Sequence, residues 1–211
     1  MDISERREQE RKAREKSIID TAERLFLEHG FESSSMEEIA RAAGFTKRTV
    51  YQYFSSKEEL LFAVAVRQLS KTDFVPLPDK AGRTITALEW LRKSCEDFFK
   101  TCRESPVETT FVSRAFSIMD SAAEGTWKSV FESRTMEYYR TIMVSMQEGI
   151  AEGSMRADLD PVKAAFAFLC VLTDFVKYIS ADTGKKSVYR PMPAAELFQY
   201  SLDMLLQSTA S

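Results

Sequence analysis

Two short apolar-patterned stretches on either side of Gly44 restrict the fold of this chain more than any other feature. Ser35-Met36-Glu37-Glu38 reads as a capping box, in which Ser35 and Glu38 satisfy each other's orphan amides and open a helix. That helix carries Ile39, Ala40 and Ala43 and is stopped by Gly44, so it is only about two turns long. Thr46 can cap a second stretch, Lys47 to Tyr53, and Ser56-Lys57-Glu58-Glu59 repeats the capping box ahead of Leu60, Leu61 and Val64, with a helix running to about Leu69. Upstream, Ile18, Ile19, Ala22, Leu25 and Phe26 recur at helical spacing and end at Gly30. Four helix starts packed so closely predict a small, repeatedly turned module.

Beyond it the punctuation thins. Pro76, Pro78 and Gly82 read as a linker, which divides the chain into residues 1–71 and 72–211. Longer stripes follow: Leu88, Leu91, Cys95, Phe98 and Cys102, then Phe111, Val112, Ala115, Phe116 and Met119, then a long helix from Trp127 to Ile150. Asp160-Pro161 is a cap with proline at the first helical position, and the helix it opens, to about Ser180, is apolar nearly all round. Pro193 opens the last helix. With seven glycines and six prolines in 211 residues, the fold class expected is all-α.

Several functions are excluded early. Three cysteines and one histidine have no metal-ligand spacing, so neither a disulfide framework nor a metal site is expected. There is no P-loop, no dinucleotide glycine pattern and no paired-histidine helix, which argues against an enzyme and against a cofactor. The first sixteen residues form a charged extension without the apolar core of a signal peptide, and no apolar run is long enough to span a bilayer. A cytoplasmic protein with no membrane partner is expected. Within the extension, Glu8 with Lys12 and Glu10 with Arg14 stand at i,i+4 spacing and support a helix. The net charge of −3 hides a local feature: from Ile39 through Lys57 there is no acid, while Arg41, Lys47, Arg48 and Lys57 are basic. A small phosphate-facing surface needs such a window.

A short helix, a glycine turn and a second short helix, spanning about residues 36–53, have the form of a helix-turn-helix. Lys47, Arg48, Thr49, Tyr51 and Gln52 put donors on the second helix, which is the one that enters a major groove. Ile18 through Leu61 resembles the DNA-binding domain of the TetR family of bacterial transcriptional regulators. The likeness rests on Leu25-Phe26 with Gly30-Phe31, Ser35-Met36 with Ile39-Ala40, Ala43-Gly44-Phe45, Thr46-Lys47, and Val50-Tyr51 with Tyr53-Phe54, Lys57-Glu58 and Leu60-Leu61.

The resemblance implies an N-terminal three-helix DNA-binding domain followed by a larger helical domain that binds a small ligand and dimerises. It further implies DNA contacts by Ser35, Thr46, Lys47, Tyr51 and Tyr53, with Lys57 as a phosphate anchor. Arg48 departs from the family pattern, where a small residue is usual, and could read guanine bidentately or grip phosphate. In the larger part, Trp90, Phe98, Phe111, Phe116, Trp127, Phe131, Tyr138 and Phe166 are candidates to line an apolar pocket. Phe166 and Cys170, with Leu197, Phe198, Leu202 and Leu205 of the last helix, are candidates for a two-fold interface, Phe198 and Leu202 pointing outward. The expected function is a homodimeric, sequence-specific regulator of a palindromic operator, a repressor released by a small, largely apolar ligand. The competing function is a helical ligand-binding or scaffold protein that does not bind DNA.

Overall fold

The computed structural model describes residues 2–71, 84–180 and 192–211. Pro76, Pro78 and Gly82, expected to form the linker, lie outside the described residues. Among the described residues there are nine helices: α1 (Ile3–His29), α2 (Met36–Ala42), α3 (Lys47–Tyr51), α4 (Lys57–Leu69), α5 (Ala87–Glu104), α6 (Pro106–Ile118), α7 (Thr126–Glu152), α8 (Pro161–Ser180) and α9 (Ala194–Thr209). No strand forms among them; Met155 and Ala210 make one isolated bridge. The fold is all-α.

Local chemistry accounts for most of the boundaries. Ser35, Thr46, Ser56 and Thr86 each accept the amide three residues on, and Asp160 Oδ1 accepts those of Val162 and Lys163. Gly44 adopts φ 73° in the turn between α2 and α3, where a side chain would be strained. α3 ends at Tyr51, two residues earlier than its sequence suggests. The amides of Tyr53 and Phe54 both turn back onto the Val50 carbonyl, 3.0 Å each, which tightens the last turn. In the charged extension Glu8 pairs with Lys12 at 3.7 Å, and Glu10 pairs with Arg6 at 3.0 Å where Arg14 was expected.

Two apolar cores share α4. Leu60, Leu61, Ala63 and Val64 join Ile18, Ala22, Phe26, Ile39, Val50 and Phe54 in the smaller one. Phe62, Ala65, Val66 and Leu69 join the larger one with α5 to α9. Each such aliphatic or aromatic side chain contributes about 1.5–3 kcal/mol through burial. A helix buried on both faces has no slack on either, so α4 ties the two cores mechanically.

Candidate nucleic-acid interface

The second helix of the motif is held from beneath and open above. Val50 and Phe54 are fully buried, while Lys47, Arg48, Tyr51 and Gln52 are exposed and Thr49 and Tyr53 are half-buried. Ser35, at the start of α2, is exposed as well. The hydroxyls of Thr46 and Thr49 lie 2.9 Å apart. Lys47 forms an ion pair with Glu37 of α2 and lies 5.8 Å from the centre of the Tyr51 ring. The Glu37 contact holds the Lys47 ammonium above its ordinary pKa, so it stays charged. Because the pair is exposed, an incoming phosphate can displace the carboxylate readily.

Lys57 requires a correction. Its ammonium donates to the carbonyls of Phe31 at 2.7 Å, Ser34 at 3.0 Å and Glu32 at 3.2 Å, and lies 4.4 Å from the centre of the Phe31 ring. An ammonium has three protons. All three are engaged in clamping the α1–α2 loop, so the expected phosphate anchor is an internal strut.

Both capping boxes are also half-formed, for an informative reason. The Glu38 carboxylate faces His29 Nδ1 at 3.1 Å instead of closing on Ser35. The Glu59 carboxylate leaves Ser56 and accepts the amides of Trp127 at 3.1 Å and Lys128 at 3.3 Å, capping the N-terminus of α7. Gly125 makes this possible, because a Cβ there would overlap the Glu59 carboxylate. Further contacts join the motif to the larger core: Phe54 stacks on Trp127 at 6.5 Å, Phe26 meets Phe111 at 6.4 Å, and Arg114 pairs with Glu32 while lying 5.5 Å from the Phe31 ring.

A protein-family model described as bacterial regulatory proteins, tetR family, matches residues 18–64, the segment that builds this motif and the first half of α4. Over residues 18–64 the chain is similar to the tetR family of bacterial regulatory proteins. The uncharacterised HTH-type transcriptional regulator YuxN of Bacillus subtilis is 43% identical over 61 residues, covering 29% of this chain and 21% of the relative. The HTH-type transcriptional activator FasR of Mycolicibacterium smegmatis is 37% identical over 90 residues, covering 42% of this chain and 40% of the relative. The match therefore spans less than half the length of either relative. These relatives are named as transcriptional regulators, not enzymes. AibR, solved in complex with isovaleryl coenzyme A and operator DNA, matches 93% of this chain and 99% of its own with a TM-score of 0.61 and 21% identity, which establishes a shared fold.

An apolar cleft opens beside the C-terminal end of α4. It comprises two adjoining hollows of about 390 and 370 Å³, counting space open to solvent, that share Leu69, Phe98, Val112 and Val176. Of the aromatics expected around a pocket, Phe98, Phe116 and Tyr138 line it, and the Tyr138 hydroxyl donates to the Leu69 carbonyl at 2.9 Å. The others are corrections. Phe131 and Trp90 are packed in the large core, Phe111 reaches into the small one, Trp127 sits at the α4–α7 junction, and Phe166 is 61% exposed. Leu69, Val112, Leu172 and Val176 are lining residues that the sequence did not single out; aliphatics on a core stripe carry no mark of a cavity.

The outer surface of α8 and α9 also differs from expectation. Phe166 and Cys170 are exposed and Leu197 and Leu205 half-buried, but Phe198 and Leu202 are each 3% exposed and belong to the core. Phe198 stacks on Phe99 with ring centres 3.9 Å apart. The exposed apolar side chains are instead Val162 and Phe166 on α8 and Tyr200 and Met204 on α9. Their i,i+4 spacing was present in the sequence as a weak signal. Among the described residues no helix is long and apolar enough to cross a membrane.

Proposed function

We propose that this chain is a homodimeric, sequence-specific DNA-binding transcriptional regulator, a repressor whose hold on a near-palindromic operator is loosened by a small, largely apolar ligand. The observation that carries the reading is the asymmetry of α3: Val50 faces the core, while Lys47, Arg48, Tyr51 and Gln52 face solvent together. Donors on the exposed face of a short, rigidly seated helix suit the major groove. Ser35, Thr46 and Thr49 would contact backbone phosphates from the helix starts, with Tyr53 beside them. Arg48 would read a guanine, and Arg48→Ala should relax one base position at a cost of about 1–3 kcal/mol.

Two recognition helices require a two-fold partner. The apolar side chains left outside on α8 and α9 suit a four-helix contact in which each copy contributes the same pair. The cleft beside α4 supports the ligand arm, as does AibR's solved complex with a coenzyme A thioester and DNA. For release, the ligand must bind the DNA-incompetent arrangement more tightly than the competent one. The deciding experiment is selection of bound duplexes from a random pool with the full chain, followed by a salt titration and a promoter reporter. Enrichment of a near-palindrome with salt-dependent affinity and reporter silencing is the expected result. Absence of enrichment would favour a helical ligand-binding or scaffold protein instead.

A further inference from the structure

Gln68 lies on α4 where the apolar cleft meets the contact between α4 and α1, and its side chain is almost fully buried. Its amide nitrogen donates to Glu23 Oε1 of α1 at 2.6 Å, and the Glu23 carboxylate also pairs with Arg67. This fixes the orientation of the amide, because turning it over would set its oxygen against a carboxylate. Gln68 Oε1 is left sealed from solvent with no hydrogen-bond partner among the described residues. A buried amide oxygen without a donor is energetically costly, so it calls for a specific explanation.

The cleft walls do not supply the donor. Thr101 donates its hydroxyl proton to the Asp97 carbonyl, and Thr109 donates to the carbonyls of Cys102 and Ser105. Burial pushes the Cys102 thiol up to about 11, which keeps it neutral and a weak donor. Lys71, which is exposed, and Ser105, which is half-buried, also line this hollow without bonding to Gln68 Oε1, and the other lining side chains are apolar: Leu69, Phe98, Val112 and Val176. A charged group would be costly to bury among them.

The geometry points to a ligand class: a neutral, lipophilic alcohol or phenol, its body lying against Phe98, Val112 and Val176 and its hydroxyl displacing the side chains that seal Gln68 Oε1 and donating to it. This rests on the cleft being the ligand site proposed above. It also gives the site a regulatory connection, since the amide that receives the hydroxyl is the one that holds Glu23 on α1. A hydroxyl drawing on Oε1 acts directly on the contact between α4 and the DNA-binding module.

The test uses the full-length protein and matched probes: 4-butylphenol, 4-octylphenol and 1-decanol, each against its methyl ether, which retains the oxygen but has no donor. In calorimetric titration at least one hydroxyl compound should bind about tenfold or more tightly than its ether, a loss typical of an acceptor left unpaired. Gln68→Met should abolish that ratio while leaving ether affinity unchanged, and the hydroxyl compound should weaken binding of the selected duplex. Equal affinities for a hydroxyl compound and its ether would overturn the Gln68 contact while leaving the cleft as the ligand site. A ratio that survives in Gln68→Met would overturn it as well. Failure of every probe to bind would overturn both the contact and the cleft. Should Gln68→Met not fold, the wild-type ratio alone decides.

Discussion

Lys57 and Gly44 show how much of the helix-turn-helix module depends on single residues acting inward. The Lys57 ammonium replaces water for three carbonyls of the α1–α2 loop, and the Phe31 ring covers it. Lys57→Met keeps the aliphatic stem but removes every donor, and should cost about 1.5–3 kcal/mol, the range for hydrogen bonds to a charged group. A lowered Tm with an unchanged salt slope of DNA binding is the expected result; a shallower slope would restore the phosphate role. Gly44 offers the opposite case, because a Cβ there would meet nothing within 4 Å. Its constraint is purely the backbone, at φ 73°. Gly44→Ala should therefore cost about 1–2 kcal/mol through left-handed strain alone, measurable by denaturant unfolding.

Between elements, the strongest ties are polar groups that cross from one helix to the end of another. Glu59 caps α7 from α4, and Gly125 leaves room for its carboxylate. Gly125→Ala and Glu59→Ala should each destabilise by about 1–3 kcal/mol, the cost of leaving buried helix-end amides unpaired. In a double-mutant cycle the two losses should not add, because both remove the same cap. A second tie joins α5 to α9 through Arg92 and Asp203. The hydrogen bond from Arg92 holds the Asp203 carboxyl below its ordinary value of 3.8. A carboxyl lowered on folding stabilises the native state above its unfolded pKa, and that stabilisation is lost as pH falls through the folded value. Asp203→Asn should thus be less stable than wild type near pH 7, with the gap closing in denaturant midpoints as pH falls below the ordinary carboxyl value.

At the scale of the whole molecule, the question is which apolar side chains remain for a second copy once one chain has folded. Phe198 is used internally, stacked on Phe99 and edge-on to Phe175. Phe198→Glu buries an unpaired charge and opens a cavity, and should unfold the chain, with loss of more than about 3 kcal/mol. Phe166→Glu and Met204→Glu touch the exposed faces and should leave helicity intact while producing monomers that lose operator binding. Circular dichroism with sedimentation velocity checks both halves of this contrast. Native-like dimers from both exposed-face variants would remove α8 and α9 from the interface.

Much of the module is legible in the sequence because its causes are local. Ser35, Thr46 and Ser56 cap amides three residues away, Gly44 supplies a backbone angle, and the stripe from Ile18 to Phe26 repeats at the helical period. Side chains on α3 are sorted by the same period, which is why the sequence turns Lys47, Arg48, Thr49, Tyr51 and Gln52 outward; all but Thr49, which is half-buried, are exposed. Other features depend on distant segments. Glu38 and Glu59 stand at the spacing of a capping box yet bond to His29 and to α7, because a longer-range partner was better placed than the nearby amide. Lys57 looked like a surface cation until the α1–α2 loop was folded over it. α8 and α9 are apolar on more than one side, and helical periodicity cannot rank such faces; only the packing of α5 and α8 against α9, and of α6 and α7 against α8, decided that Phe198 and Leu202 turn inward while Phe166 and Met204 stay outside. A helix's pattern records which of its side chains avoid water, but the element that covers each face is set by the tertiary arrangement of the rest of the chain.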